Sequence, residues 1–266
     1  SANQVSDDLI AAVDLGSNSF RMVIAKVIQS PLGTQVHPID TLRESVRLAA
    51  GLTKDKLLDE KAMARGLAAM TRFGDRLKNF EAKHVRVVAT NTLRVARNSD
   101  AFIKQAEKLL GFPIEVIAGR EEARLIYIGA SHDAPTCDGK RFVLDIGGGS
   151  TEFIIGDGYE PKLLESLYIG CVSFSQQYFS GGLVDAYSFK QAQMAARREI
   201  QVISSQFRKT GWKQAIGSSG TARAIAELIA QNGFDGAPHD LPVGGLGGVI
   251  TRDGLEQLKK SLINSE

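Results

Sequence analysis

The stretch VDLGSNSFRMVI at residues 13–24 returns as LDIGGGSTEFII at residues 144–155, and the two align without a gap. Asp14 matches Asp145, and a glycine and a serine of each turn also match. Each copy has the pattern of a buried strand, a tight turn and a second strand. The offset of 131 residues is about half of the chain, far longer than the repeat of a solenoid protein. The sequence therefore predicts a duplicated domain.

Strand and helix patterns alternate around the two copies. In the first half, apolar spacing predicts a helix over 54–80, a strand over 85–89, a helix over 101–110, a strand over 114–117 and a helix over 121–130. In the second half, it predicts a strand over 162–167, a helix over 188–208, a strand over 214–217 and helices over 222–231 and 251–263. This order predicts an α/β fold with a first lobe over residues 9–130 and a second over 131–266.

The overall composition excludes several classes of protein. The 266 residues are 43% apolar and 23% charged, which is typical of a globular domain. A net charge of +2 provides no overall field for nucleic acid, so an anionic partner needs a local site. Two cysteines without CxxC spacing and four scattered histidines predict neither a disulfide framework nor a zinc site. No apolar run is long enough for a membrane helix, and we expect a cytoplasmic protein.

Three glycine- and serine-rich turns are candidate phosphate sites. Glycine lets backbone N–H groups approach phosphate oxygens, and the acids that end the first strand of each copy would face a hard divalent cation. The candidate turns are Ser17-Asn18-Ser19, Gly147-Gly148-Gly149-Ser150 and Gly217-Ser218-Ser219-Gly220-Thr221. None matches a P-loop or a dinucleotide-binding fingerprint. The third turn, taken alone, is equally well explained as an ordinary helix start.

Two further features have both a functional and an ordinary interpretation. Glu121 and Glu122 begin a predicted helix, where acids stabilise the first turn through the helix dipole whether or not they have another role. Arg94 follows a buried strand, at the end of the strand where α/β proteins bind ligands. It is either a phosphate contact or a surface charge.

Five motifs in order resemble the exopolyphosphatase/guanosine pentaphosphate phosphohydrolase family. They are AVDLGSNSFR at 12–21, GREEA at 119–123, DIGGGSTE at 145–152, GCVS at 170–173 and GSSGT at 217–221. The resemblance implies a duplicated actin-like, or ribonuclease H-like, fold of two lobes with the active site in a central cleft. Because family members continue through further helices to a last strand, the resemblance also leads us to expect a second lobe that is incomplete at its C-terminal end.

The resemblance also implies an activity, which is hydrolysis of the terminal phosphoanhydride bonds of inorganic polyphosphate with Mg²⁺ or another divalent cation. Glu122 would be the general base, and Asp14, Asp145 and Glu152 would hold the metal. Phosphate would be bound by Ser17, Asn18, Ser19, Arg21, Arg94, Gly147, Gly148, Gly149, Ser150, Ser218, Ser219, Gly220 and Thr221.

Alternative functions follow from the same motifs. A guanosine pentaphosphate phosphohydrolase would cleave the same type of bond in a guanine nucleotide. An actin-like kinase would transfer phosphate to a hydroxyl group, and a sensor would bind guanosine pentaphosphate or tetraphosphate without turnover. The expected partners are therefore polyphosphate or these nucleotides, with a homodimer allowed and with neither nucleic acid nor an integral membrane involved.

Overall fold

The first half of the chain is built on a five-stranded sheet. The computed structural model describes residues 8–31, 33–234 and 248–264. Strands β1 (Leu9–Leu15), β2 (Phe20–Ser30) and β3 (Gly33–Glu44) form an antiparallel meander, and β4 (Val85–Ala89) and β5 (Glu115–Val116) extend it in parallel. The strand order is β3-β2-β1-β4-β5. Helices α1 (Glu60–Leu77), α2 (Asn91–Val95) and α3 (Ser99–Leu110) complete this half.

Alternating burial in β1 places its apolar side chains in the core of the first half. Val13 and Leu15 are buried there with Phe73 of α1 and Phe102 of α3, as the periods of two and 3.6 residues predict. Helix α1 begins later than its apolar pattern does, because the Asp59 side chain caps it by accepting the N–H of Ala62 at 2.7 Å. The prediction of a helix from residue 54 was therefore wrong at its start.

The second half repeats the topology of the first. Its elements are α4 (Gly119–Asp133), β6 (Lys140–Ile146), β7 (Thr151–Asp157), β8 (Glu160–Leu167), α5 (Cys171–Tyr178), α6 (Ala186–Thr210), β9 (Gln214–Ser218), α7 (Gly220–Gln231) and α8 (Arg252–Asn264). The strand order β8-β7-β6-β9 corresponds to β3-β2-β1-β4. In both sheets the fourth strand lies parallel to the first strand of the meander. This shared order is that of a duplicated domain.

Even the irregularities of the two sheets match. The β2–β3 register shifts next to Ala25, which pairs with Pro38, and the β7–β8 register shifts next to Gly156, which pairs with Pro161. Proline cannot donate to a strand ladder and is therefore confined to edges and bulges. A bulge and a proline at equivalent places on both edge strands are a structural signature of the repeat.

The chain divides into two compact units, Ser1–Ala118 and Gly119–Glu266. The boundary predicted at 130/131 falls inside α4, which packs on β7 and β8 of the second unit. Tyr127 accounts for much of this packing, because its ring is fully buried beside Gly156 and its hydroxyl donates to the Gly158 carbonyl at 2.9 Å. Residues 119–130 therefore belong to the second unit.

Two short helices, α2 and α5, were not predicted. The glycine- and proline-rich stretch 233–248 predicts a loop, and most of it lies outside the described residues. Among the helices that are described, none is long and apolar enough to cross a membrane.

Candidate active site

The first candidate phosphate turn connects β1 to β2, and hydrogen bonds to its carbonyl groups hold it in place. A Cβ at Gly16 would lie 2.9 Å from the Ser19 carbonyl oxygen, so the turn requires glycine there. The carbonyls of Ser17 and Asn18 accept the N–H groups of Ala49 at 3.0 Å and Arg47 at 2.8 Å. The N–H groups of Asn18 and Ser19 have no acceptor within the described ranges. The turn therefore presents backbone donors that an anion can bind.

The Ser17 side chain connects this turn to α2. Its hydroxyl oxygen is buried and accepts both the Thr92 hydroxyl, at 2.7 Å, and the Thr92 N–H, at 3.3 Å. The hydroxyl is thus engaged within the protein. Both acceptor positions of the Ser17 oxygen are therefore taken by Thr92, and its O–H remains a donor.

The second candidate phosphate turn connects β6 to β7 and rests on the N-terminus of α5. Cys171 donates its N–H to the Gly147 carbonyl at 2.9 Å, and Val172 and Ser173 donate to the Gly148 carbonyl at 2.9 and 3.1 Å. Gly170 is required because a Cβ there would overlap the Gly148 backbone. The GCVS motif therefore supports the turn. As in the first turn, two N–H groups, those of Gly148 and Gly149, lack an acceptor in the part of the chain that is described.

A row of polar side chains crosses the second sheet directly beneath this turn. Asp145 pairs with Glu152 in the β6–β7 register, which puts both carboxylates on one face of the sheet with Cβ atoms about 4.5 to 5.5 Å apart. The Ser218 hydroxyl donates to Asp145 at 2.6 Å, and the Ser166 hydroxyl donates to Glu152 at 2.8 Å. We call Ser166, Glu152, Asp145 and Ser218 the acidic row. Ser166 was not predicted, since only the β7–β8 register reveals it.

The acidic row has the chemistry of a cation site. Glu152 is only 1% exposed, and a buried carboxylate beside a second carboxylate is costly unless a cation or a proton compensates it. Oxygen ligands suit Mg²⁺, which is typically bound through one or two carboxylates, water and substrate phosphates. No group of three or more histidine, cysteine or acidic side chains is close enough for a metal site among the described residues. Asp145 and Glu152 fit such an ion as a carboxylate pair.

The corresponding row in the first unit has a different charge. Asp14 pairs with Arg21 in the β1–β2 register, and Arg21 pairs with Arg43 in the β2–β3 register. All three residues are exposed. Arg21 thus occupies the position that Glu152 has in the second copy. The two copies have the same backbone but opposite charge beside their turns.

The third candidate phosphate turn leads from β9 into α7 and contains a strained residue. Ser219 has φ 121° and ψ 162°, a region that is almost reserved for glycine and costs about 1 to 3 kcal/mol. Its hydroxyl caps the helix by accepting the Ala222 N–H at 3.3 Å. The helix begins at Gly220 rather than at residue 222 as predicted. Backbone strain of this kind is concentrated at functional sites.

Glu121 and Glu122 have different surroundings in the first turn of α4. Glu121 accepts two hydrogen bonds from the Arg124 guanidinium, both of 2.8 Å, and this pairing raises the pKa of Arg124. Glu122 takes no part in that ion pair and is partly exposed. Because the two side chains point about 100° apart on a helix, the ion pair to Arg124 accounts for the position of Glu121 alone.

Arg94 is not a free surface charge. It is half-buried, and its Nη1 donates to the Ile117 carbonyl at 2.7 Å, just after β5. This bond fixes α2, which also carries Thr92, the partner of Ser17. The structure thus brings Arg94 to the same end of the first sheet as the first candidate turn.

Comparisons with known proteins identify the family and the fold of the chain. The model of the Ppx/GppA phosphatase family matches residues 23–266. A Haemophilus influenzae protein named "Putative exopolyphosphatase" is 42% identical over 223 residues, which are 84% of this chain and 68% of that protein. An exopolyphosphatase structure from Cytophaga hutchinsonii is 25% identical and superimposes with a TM-score of 0.80 over 97% of this chain and 80% of its own.

A more distant structure shows how general the fold is. A chain of the PilM–PilN type IV pilus biogenesis complex is 14% identical, with a TM-score of 0.50 over 84% of this chain and 85% of its own. At that identity the likeness concerns the fold alone. The predicted actin-like α/β fold is confirmed.

Proposed function

Because this chain belongs to the Ppx/GppA phosphatase family, we propose that it is an exopolyphosphatase that releases orthophosphate from the ends of inorganic polyphosphate by attack of water. The observation that carries the proposal is the pair of matching turns with available N–H donors. The second of these turns lies beside Asp145, which is partly buried, and Glu152, which is buried. The exopolyphosphatase names of the Haemophilus and Cytophaga proteins also support it.

Phosphate binding falls to the backbone of the three turns. Asn18 and Ser19 present N–H groups in the first unit, and Gly148 and Gly149 present them in the second. The N-terminus of α7 adds a helix dipole next to Ser219. Phosphoryl transfer has a loose transition state, so positioning and charge neutralisation provide most of the catalysis. Fixed N–H donors are suited to that task.

Glu122 orients the attacking water and accepts its proton in this mechanism. We assign this role to Glu122 because it is the second glutamate of the GREEA motif, whereas Glu121 accepts the two hydrogen bonds from Arg124. Asp145 and Glu152 would hold a divalent cation, whose charge would neutralise the phosphate oxygens, and Asp14 stays a predicted further ligand. Arg21 and Arg94 contribute fixed positive charge at the first turn.

Side-by-side phosphate release from long polyphosphate, tripolyphosphate and guanosine pentaphosphate tests the proposal. We expect release from polyphosphate with Mg²⁺ and none in excess EDTA. Preference for the guanine nucleotide would instead identify a guanosine pentaphosphate phosphohydrolase, which cleaves the same type of bond. Full activity in EDTA would contradict the metal role.

An isosteric variant and a matched control sharpen this test. Asp145→Asn retains an acceptor for the Ser218 hydroxyl but loses the charge that a cation needs, so turnover should fall by about 10²-fold or more. Glu199→Gln removes an exposed acid on α6 and should behave as wild type. Equal activity of the two variants would remove Asp145 from the metal site.

A further inference from the structure

We infer that Arg43 and Arg47, together with Arg21, bind a second stretch of a polyanionic substrate next to the first phosphate turn. We call these three residues the arginine patch. The inference rests on the proposed function and deepens it, because it assigns the specificity for an extended chain of phosphates to named residues of the first unit.

Arg47 is held in an unusual conformation at the turn itself. Its φ of 52° and ψ of 50° are left-handed, a region that residues with a Cβ rarely adopt. Val46 and Leu48 on either side are buried, and the Arg47 N–H donates to the Asn18 carbonyl at 2.8 Å. The backbone is therefore fixed against the phosphate turn while the guanidinium side chain is exposed.

The segment that carries Arg47 is fastened to α1. Arg65 donates to the Val46 carbonyl at 2.9 Å, and Arg72 makes two bonds to Glu44, of 2.6 and 2.9 Å. These arginines of the first unit are engaged by protein acceptors. They keep the end of β3 and the following residues in place.

The arginines of the patch lack such acceptors. Arg21 and Arg43 lie directly opposite each other on β2 and β3, where like charges destabilise a sheet. No carboxylate or carbonyl within the described residues pairs with the guanidinium group of Arg21, Arg43 or Arg47. An unpaired cationic cluster beside an anion-binding turn is stabilised by a ligand with several negative charges.

The chemistry of the cluster specifies an extended polyanion. Guanidinium groups bind phosphate oxygens in a bidentate manner, and three of them can contact more phosphates than the single group that the turn binds. Asp14, on the other side of Arg21, offsets only one of the three charges. Successive phosphates of a long chain therefore fit this surface better than an isolated terminal phosphate.

Equilibrium binding of long-chain polyphosphate and of tripolyphosphate tests the inference. Arg43→Ala and Arg47→Ala are compared in the Glu122→Gln background, so that bound chains stay intact. The control is Arg198→Ala, which removes an exposed arginine of α6 in the second unit. We expect each patch variant to weaken long-chain binding about three- to fivefold at low salt. The slope of log affinity against log salt should become shallower by about 0.7 for each arginine.

Arg47→Gly separates charge from conformation. Glycine adopts the left-handed conformation without penalty, so this variant should melt no lower than wild type and should still bind long chains as weakly as Arg47→Ala. Long-chain binding of wild-type strength in Arg47→Gly would make Arg47 a conformational residue and overturn the inference. The inference would also be overturned if Arg43→Ala and Arg47→Ala had the same salt slope as Arg198→Ala. Equal losses of affinity for tripolyphosphate and for the long chain would overturn it as well.

These outcomes are distinct from failure of the proposed function. If the wild-type protein, with Glu122 intact, binds long chains through the arginine patch but releases no phosphate, only the hydrolase proposal is contradicted. Normal hydrolysis with patch variants indistinguishable from the control would contradict the patch alone.

Discussion

Replacing Glu122 by glutamine should abolish most turnover, whereas the same change at Glu121 should not. The substitution keeps the size of the side chain and removes its charge and its ability to accept a proton. Glu121 provides a matched control on the same helical turn, because it loses its ion pair to Arg124 without losing a proposed role in the reaction.

The expected magnitudes are far apart. Loss of a general base lowers the rate by about 10² to 10⁴-fold, which corresponds to about 2.7 to 5.5 kcal/mol in the barrier. Loss of an acid from a first helical turn costs only about 0.3 to 1 kcal/mol of stability. For a unit of this size that changes the melting temperature by less than about 4 °C. Both variants should therefore fold, and only Glu122→Gln should be inactive.

Phosphate release at saturating polyphosphate, together with a thermal melt of each variant, measures both quantities. Polyphosphate binding should survive in Glu122→Gln, because the N–H donors of the turns are untouched. Similar and mild losses of activity at the two positions would refute the reasoning and leave both acids as an ordinary helix start.

Three further predictions concern stability and its relation to activity. Gly170→Ala forces a Cβ into the Gly148 backbone, so it should lower the free energy of unfolding in urea by about 1 to 3 kcal/mol and weaken phosphate release. An unchanged urea midpoint would contradict the close packing. Ser219→Gly removes backbone strain of about 1 to 3 kcal/mol, and this gain offsets the loss of the helix cap and the added flexibility of glycine. The melting temperature should therefore stay the same while turnover falls. A lower melting temperature would show that the serine conformation is not strained. Burial raises the pKa of Tyr127 above its ordinary 10.0, so the unfolded chain ionises first and stability should fall as pH rises above about 10. Urea unfolding as a function of pH should show a flatter profile for Tyr127→Phe, and parallel profiles would contradict this.

The sequence predicts the duplication and the turns because their chemistry is local. An acid, a glycine and a serine at fixed spacing appear in both copies, and alternation of apolar residues is sufficient to identify the flanking strands. Of Glu122, Asp145 and Glu152, only Asp145 is indicated as a metal ligand by this local pattern; the roles of the other two come from the family resemblance, and all three roles remain predictions. The structure adds that Asp145 and Glu152 lie opposite each other on the neighbouring strands β6 and β7.

Other parts of the site depend on contacts that no local pattern encodes. Ser166 is aligned with Glu152 only through a register that shifts at a bulge. Likewise, Arg43 is an ordinary surface arginine until its pairing with Arg21 is known. Ser219 occupies a conformation that sequence rules assign to glycine, so its strain could not be anticipated from the residue itself.

The hydrogen bonds that complete the two turns have a consequence for the order of folding. The bond from Thr92 to Ser17 spans 75 residues, and the bond from Ser218 to Asp145 spans 73. The meander strands can pair as soon as their hairpins exist, whereas the fourth strand of each sheet docks only after a long loop has closed, which is entropically costly. In each half of a nascent chain, the binding turn is therefore among the last features to mature. A partly synthesised or partly unfolded half would contain most of its sheet and yet have no competent site.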